Sequence, residues 1–419
     1  MQENAGGTVL RSQPALFSDP DAPVPPLRPD LQIVPVQNNG RQLILFHDSL
    51  GYTPNNFALD ASAESLLYFI NGKKSVRDIA NQLNQQVKET DLLRFIQLLD
   101  QNSLLYSHSY LHARETTENR FEKSKIRKPL LAGTAYQNSI KLLNEFLRQS
   151  IRTSSALKRG RIHSLFAPHI DLSLGMEQYA EAFSAISHMR PKRVVILATA
   201  HYTGYFEEVY SGFPYIGSAK DFQVQDRLIR ADQASLKQLM RKSPDNGFTL
   251  QDRAHRIEHS IEIHLLCLAA IWQHSFSIVP ILVGNLDELF YHTGGEAAEK
   301  SMIFADQIKE LDQPDTLFLI SGDLSHTGKK FGDPVSARET RQRSELRDHQ
   351  FLSHAAAGAP VKLLNEVASD YDATHICGFS PLYTYLKAFP GRRGEILNYH
   401  WWDEQERESA VSFGSILYR

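Results

Sequence analysis

Three segments place a histidine at the end of an apolar run: "SLFAPH" at His169, "VVILATAH" at His201 and "LFLISGDLSH" at His326. Each run has the length and apolar, β-branched character of a strand buried on both faces. In an open α/β sheet the carboxyl ends of the strands line the ligand crevice, so histidines far apart in sequence can meet there. Imidazole is the commonest metal ligand and titrates near neutral pH, which suits such a meeting point to metal binding or proton transfer. Asp323, three residues before His326, adds an acid to the same turn.

Cys377 lies in "ATHICGFSPLYTYL", ahead of a helix that the sequence starts at Ser380 or Pro381. The positive end of that helix is expected to lower the thiol pKa toward thiolate. Thiolate with imidazoles suits iron, copper or zinc and not magnesium or calcium. "EHSIEIH" is the second dense cluster. Glu258 and Glu262, at i and i+4, read as one helical face, with His259 and His264 beside them. They are expected to orient a ligand or accept a proton; the plainer reading is a helix start whose acids favour the dipole. His259 and His264 are five apart, so neither H-E-x-x-H nor H-x-x-E-H is present. "CGFSPL" is not G-x-S-x-G, and no phosphate-cradling glycine motif occurs, which removes a serine-hydrolase elbow and nucleotide binding.

The elements that must carry these residues alternate. "IHSLFAPHID" reads as strand and turn, "GMEQYAEAFSAISH" as helix, "KRVVILATAHYTG" as strand and turn, and "RIEHSIEIHLLCLAAIWQ" as helix. "FSIVPILVGN" is a strand, "EAAEKSMIFADQIKEL" a helix, "DTLFLISGDLSH" strand and turn, and "SPLYTYLKAF" a helix, before a final strand pair in "GEILNYHWWD" and "SAVSFGSILYR". Strand and helix in alternation imply an α/β sheet with helices on both faces.

Ahead of this domain the pattern differs. Residues 1–30, rich in Pro, Asp and Gly, read as a flexible arm. Residues 31–110 read as a β-rich entry followed by three helices and a closing strand, "SLLYS", the outline of a winged helix. Ser75 and Thr90 are the expected caps of the second and third helices. The third, "ETDLLRFIQLLDQN", carries one arginine against three acids, which argues against a DNA-reading helix. A charged linker is expected over 111–130, and the α/β domain over 131–419.

At 419 residues, with a net charge of -3, the chain shows no basic excess for nucleic acid. No apolar run is long enough to span a bilayer, and no secretory signal opens the sequence, so a membrane is not an expected partner. Two cysteines, Cys267 in an apolar helical stripe and Cys377, fit a reducing cytoplasm.

The larger domain resembles the MEMO family, whose prokaryotic members are called AmmeMemoRadiSam system protein B. The resemblance rests on "AGTAY" (Ala132 to Tyr136), "APHIDLSLG", "ILATAHYTG", "EHSIEIHLL", "SGDLSHTG" and "ICGFSP", in the family's order. It implies a fold similar to class III extradiol dioxygenases and a mononuclear metal, iron first, with copper or zinc as alternatives. The implied ligands are His169, His201 and Cys377; Asp323 and His326 would handle protons. Glu258, His259, Glu262, His264, Asp171 and Tyr202 would line or support the pocket. Where the family has an H-A-G-Y-type and a G-P-S-H-H-type sequence, this chain has "HIDLS" and "ATAHY". Cys377 would stand where the dioxygenases place a carboxylate. Residues 32–107 are similar to PqqD-like domains, through "LDASAESLLYFINGKKSVRDIANQL" and "LLDQNSLLY". That resemblance implies a radical-SAM enzyme and a peptide or protein as partners. The expected function is a metal-binding redox protein or dioxygenase-like oxidoreductase. The alternatives are a non-catalytic scaffold or metal sensor, and a metal-dependent hydrolase.

Overall fold

The computed structural model describes residues 15–84, 86–130, 134–153 and 161–419. The chain divides into two compact units between Lys123 and Ser124.

In the first unit, strands β1 (Gln32–Asn38), β2 (Arg41–His47) and β3 (Ala58–Asp60) form an antiparallel sheet in that order. Asn39 and Gly40 both adopt positive φ in the β1–β2 turn, the conformation a two-residue hairpin loop demands. Helices follow at Glu64–Leu67, Val76–Gln82, Glu89–Gln101 and His108–Lys123. Ser75 caps the second in a reciprocal pair with Asp78, as its position predicts. The third begins at Glu89 with Lys88 at the cap, not at Thr90. Ile44, Phe46, Ile79, Leu92, Ile96 and Leu99 close a shared core.

Three expectations for this region change. Ser103–Ser107 makes a single bridge, Leu105 to Leu27, in place of a strand. Residues 1–14 of the expected arm lie outside the described residues, but the rest is seated on the unit: Val24 is fully buried and the Phe17 amide donates to Asp100. The expected linker holds most of the helix His108–Lys123, whose Glu118 accepts a 2.5 Å hydrogen bond from the Tyr52 hydroxyl.

The second unit contains β4 (Ile126–Arg127), β5 (Ser164–Ala167), β6 (Arg193–Thr199), β7 (Tyr215–Gly217), β8 (Asp221–Val224) and β9 (Arg227–Ala231). It continues with β10 (Phe248–Thr249), β11 (Ser277–Val283), β12 (Thr316–Ser321), β13 (His326–Gly328), β14 (Gly394–Glu404) and β15 (Ser409–Tyr418). The sheet order is β13-β15-β5-β12-β6-β11-β9-β8-β4; β14 lies beside β15, and β7 pairs with β10 and β11. The middle four strands, β5, β12, β6 and β11, run parallel. Every residue of β12 is buried, so both faces of the sheet are covered there, as its unbroken apolar run requires. The helices Ser260–Ile271 and Phe379–Ala388 both pack on β6 and β12. The final antiparallel pair is β14 with β15.

β7 to β10 and the helices Ala337–Ala356 and Pro360–Ala368 add to the elements expected from the sequence. The first of these helices is polar over most of its length, which hides it from a search for apolar periodicity. Its start was nonetheless written as a capping box, Ser336 with Glu339. No helix among the described residues is long and apolar enough to cross a membrane.

Candidate metal centre

The parallel strands β5, β12 and β6 are neighbours, and the turns beyond their carboxyl ends carry His169, Asp323 and His201. A fourth turn, ahead of the helix Phe379–Ala388, brings Cys377. His169 Nε2 lies 3.5 Å from Cys377 Sγ and 3.7 Å from Asp323 Oδ2, and the His169 and His201 rings meet edge-on at 4.9 Å. His259 stacks on His201 with centroids 5.2 Å apart. One nitrogen from each of His169, His201 and His259 lies within 4.8 Å of the others, and so do donor atoms of His169, Asp323 and Cys377. The expected neighbours therefore meet, with His259 brought closer to the centre than its assignment to the pocket wall implied.

His169 and His201 are oriented by different partners. Glu258 accepts from the His201 amide at 2.7 Å and faces His201 Nδ1 at 3.0 Å, and the same ring hydrogen-bonds with the Cys377 thiol. The same carboxylate lies 3.4 Å from His259 Nδ1. Burial works against charge on this pair. The attraction outweighs it: Glu258 is held down at about 2 and His201 is raised well above the usual imidazole range. His169 is fully enclosed, and burial lowers its pKa well below the ordinary value. Its Nδ1 faces Ser321 Oγ at 3.1 Å.

Asp323 Oδ1 accepts from the amides of His169, at 2.9 Å, and Ile170, at 3.3 Å. Burial nevertheless raises its pKa to about 7, so the carboxyl can exchange a proton near neutrality. The Asp323 amide points at Cys377 Sγ, 3.2 Å away. The thiol departs from expectation: burial pushes its pKa up, ahead of the lowering effect of His201. The following helix starts at Phe379, one residue earlier than read, yet its positive end does not offset the loss of water. His326 opens β13, and its Nδ1 lies 3.0 Å from the carbonyls of both Leu324 and His375. Carbonyls only accept, so this nitrogen carries the proton; burial holds the ring down at about 4.

The "EHSIEIH" cluster divides. The helix begins at Ser260, so Glu258 precedes it and shares no helical face with Glu262. Glu262 pairs with the buried Arg127 and accepts from the Leu130 amide at 2.9 Å. It supports the chain behind the centre instead of facing it. His264 Nε2 donates to the Pro168 carbonyl at 2.7 Å and so fixes the backbone entering His169. Asp171 is exposed and caps its own turn through Ser173. Tyr202 rests 6.3 Å from the His201 ring.

Two glycines that the sequence reading passed over make the arrangement feasible. A Cβ on Gly322 would lie 2.2 Å from Gly378 Cα, and one on Gly378 would lie 2.7 Å from the Asp323 carbonyl. The end of β12 and the Cys377 turn thus touch backbone to backbone, which only glycine permits. A cavity of about 1140 Å³, lined by residues such as Thr203, Glu207 and Lys300, contains none of these donors.

The Memo-like protein family matches residues 127–417, most of the chain. The chain belongs to that family. A MEMO1 family protein of Aquifex aeolicus is 23% identical over 400 residues, 94% of this chain and all of that protein. That span exceeds the second unit and takes in much of the first. A MEMO1 family protein of Thermus thermophilus is 26% identical over 71% of this chain and 84% of its own length. The human protein MEMO1 is 27% identical over 61% of this chain and 82% of its own length.

Proposed function

We propose that the second unit of this Memo-like protein holds one transition-metal ion at His169, His201 and Cys377 and acts as a dioxygenase-like oxidoreductase or redox protein. The observation that supports this is the convergence of two imidazoles and a thiol from three separate turns, with His259 and Asp323 beside them. Nitrogen and sulfur donors suit iron, copper or zinc, and the resemblance to the MEMO family puts iron first. Such an ion would supply electron transfer or activation of a small molecule at an open coordination position. The chain's own residues do the rest. Glu258 orients His201, Asp323 stores or delivers a proton, and His326 offers an unprotonated nitrogen in its neutral form. Binding a metal ion would displace the proton from His201 and from the thiol, so affinity rises with pH.

Metal analysis of the full chain, His169→Ala and Cys377→Ala tests the ligand assignment. Each substitution is expected to abolish most of the iron or copper content; full content in both removes the proposal. Oxygen uptake by iron-loaded protein distinguishes a redox role from zinc-dependent hydrolysis, which proceeds without oxygen.

A binding role for the first unit rests on β1, where Ile33 is 46% and Val34 40% exposed on an edge strand. Such an edge suits added strands from a peptide. The winged-helix, PqqD-like reading supplies the partner: a radical-SAM enzyme. Loss of capture of that enzyme on Val34→Lys supports the role, and unchanged capture counts against it.

A further inference from the structure

Beneath the donor atoms lies a closed circuit of hydroxyl groups from three elements. Ser260 Oγ donates to the Thr199 carbonyl at 2.8 Å. Thr199 Oγ1 in turn faces the carbonyls of Cys377, at 2.8 Å, and Ser321, at 3.2 Å. Ser321 Oγ lies 2.8 Å from the Ser260 carbonyl, which closes the ring. All three side chains belong to buried residues. The circuit joins the ends of β6 and β12 to the start of the helix Ser260–Ile271 and to the backbone of the Cys377 turn.

The direction of each bond follows from inventory. A hydroxyl has one proton, and a carbonyl oxygen has none. If Ser321 turned its proton toward His169, its oxygen would face the Ser260 carbonyl, lone pair to lone pair, at 2.8 Å. The favourable arrangement spends the Ser321 proton on Ser260 and leaves a lone pair for His169 Nδ1, 3.1 Å away. His169 must then carry its proton on Nδ1. Its Nε2, the nitrogen 3.5 Å from Cys377 Sγ, is left as the acceptor.

We infer that Ser321, Ser260 and Thr199 are positioning residues that fix the Nδ1–H tautomer of His169 and anchor the Cys377 backbone before any metal arrives. Nothing in this circuit is charged. It contrasts with His201, which a carboxylate orients, so the two imidazoles are set by partners of opposite character. At Nδ1, then, His169 meets a neutral hydroxyl and His201 a carboxylate, while the Asp323 carboxyl stands on the opposite side of His169, 3.7 Å from Nε2. The inference rests on the proposed metal centre for its purpose, but the tautomer is a property of the metal-free chain.

The test uses full-length, metal-free protein and long-range proton–nitrogen NMR of the histidine rings, with His169→Gln assigning the resonance. Wild type is expected to show His169 protonated at Nδ1 alone. Ser321→Ala should yield a mixture of tautomers and weaken zinc binding, measured by chelator competition, by about 10–100-fold. Ser321→Thr, which restores the hydroxyl, should restore both. Thr199→Val keeps the shape, leaves the His169 tautomer in place and weakens zinc binding by freeing the Cys377 carbonyl. If Ser321→Ala does not fold, the wild-type tautomer still decides the His169 half of the inference and the zinc affinity of Thr199→Val the Cys377 half. A wild-type proton on Nε2, or an Ser321→Ala protein with unchanged tautomer and unchanged affinity, overturns the inference. Absence of zinc, iron and copper binding by wild type would remove the metal proposal and leave the NMR result to decide the tautomer by itself.

Discussion

Arg127 is the most demanding single position behind the candidate centre. Its guanidinium is buried with Glu262, their side chains 2% and 3% exposed. It also donates to the carbonyls of His255, at 3.1 Å, Lys128, at 3.0 Å, and Glu258, at 2.7 Å. Replacing Arg127 with Met removes all of these donors and the cation that pairs with the enclosed Glu262. Removing one partner of such a buried pair costs about 3–5 kcal/mol, well above the ~0–1 kcal/mol of an exposed pair. The double variant Arg127→Met/Glu262→Met removes the carboxylate together with the guanidinium and should recover all but about 2 kcal/mol of the loss. Trp272, Trp401 and Trp402, the only tryptophans, all belong to the second unit, so their fluorescence in a urea titration reports that unit alone. A single variant within about 1 kcal/mol of wild type, the range of an exposed pair, would refute the reasoning. So would a double variant as unstable as the single one.

Acid should destabilise the second unit in a defined window. Burial holds His255 at about 4 although its Nε2 donates to the Ile216 carbonyl. The unfolded chain takes up that proton below about 6.5 and the native ring does not, so stability is whole above 6.5 and falls as pH drops toward 4. The full loss is about 3 kcal/mol for this one group, and His255→Gln should flatten the slope by that amount; an unchanged pH dependence speaks against it. Gly322→Ala forces backbone apart where β12 meets the Cys377 turn, and should cost about 3 kcal/mol or more. It should also lower metal content at unchanged Cys377 thiol count; normal stability and content would show that the close approach is dispensable.

The strands were legible because β5, β6, β11 and β12 are continuous apolar runs between turns, too short for buried helices. The histidines at their ends were legible for the same reason, since the topology rule fixes which end of a parallel strand faces the crevice. Cys377 came from its motif. The reading misplaced Glu258 because a four-residue interval looks helical whether or not the helix has begun, and here it begins two residues later. The thiol pKa could not be foreseen because desolvation depends on neighbours distant in sequence. Ser321, Thr199, Gly322 and Gly378 carried a faint signal, small or hydroxyl residues at strand and turn ends, but their value lies in contacts across more than 50 residues.

The order of the strands sets when the centre can exist. β12 lies between β5 and β6, yet it follows both in the chain by more than a hundred residues. While the protein is being synthesised, the His169 and His201 strands therefore wait for a partner that will separate them, and β15 closes the outer side of β5 only after residue 409. Pairings of such long sequence separation form slowly, because their loop entropy is lost before their contacts are gained. An emerging chain thus exposes the edges of β5 and β6 but offers no complete donor set. At the proposed centre, metal capture would wait until the sheet is whole.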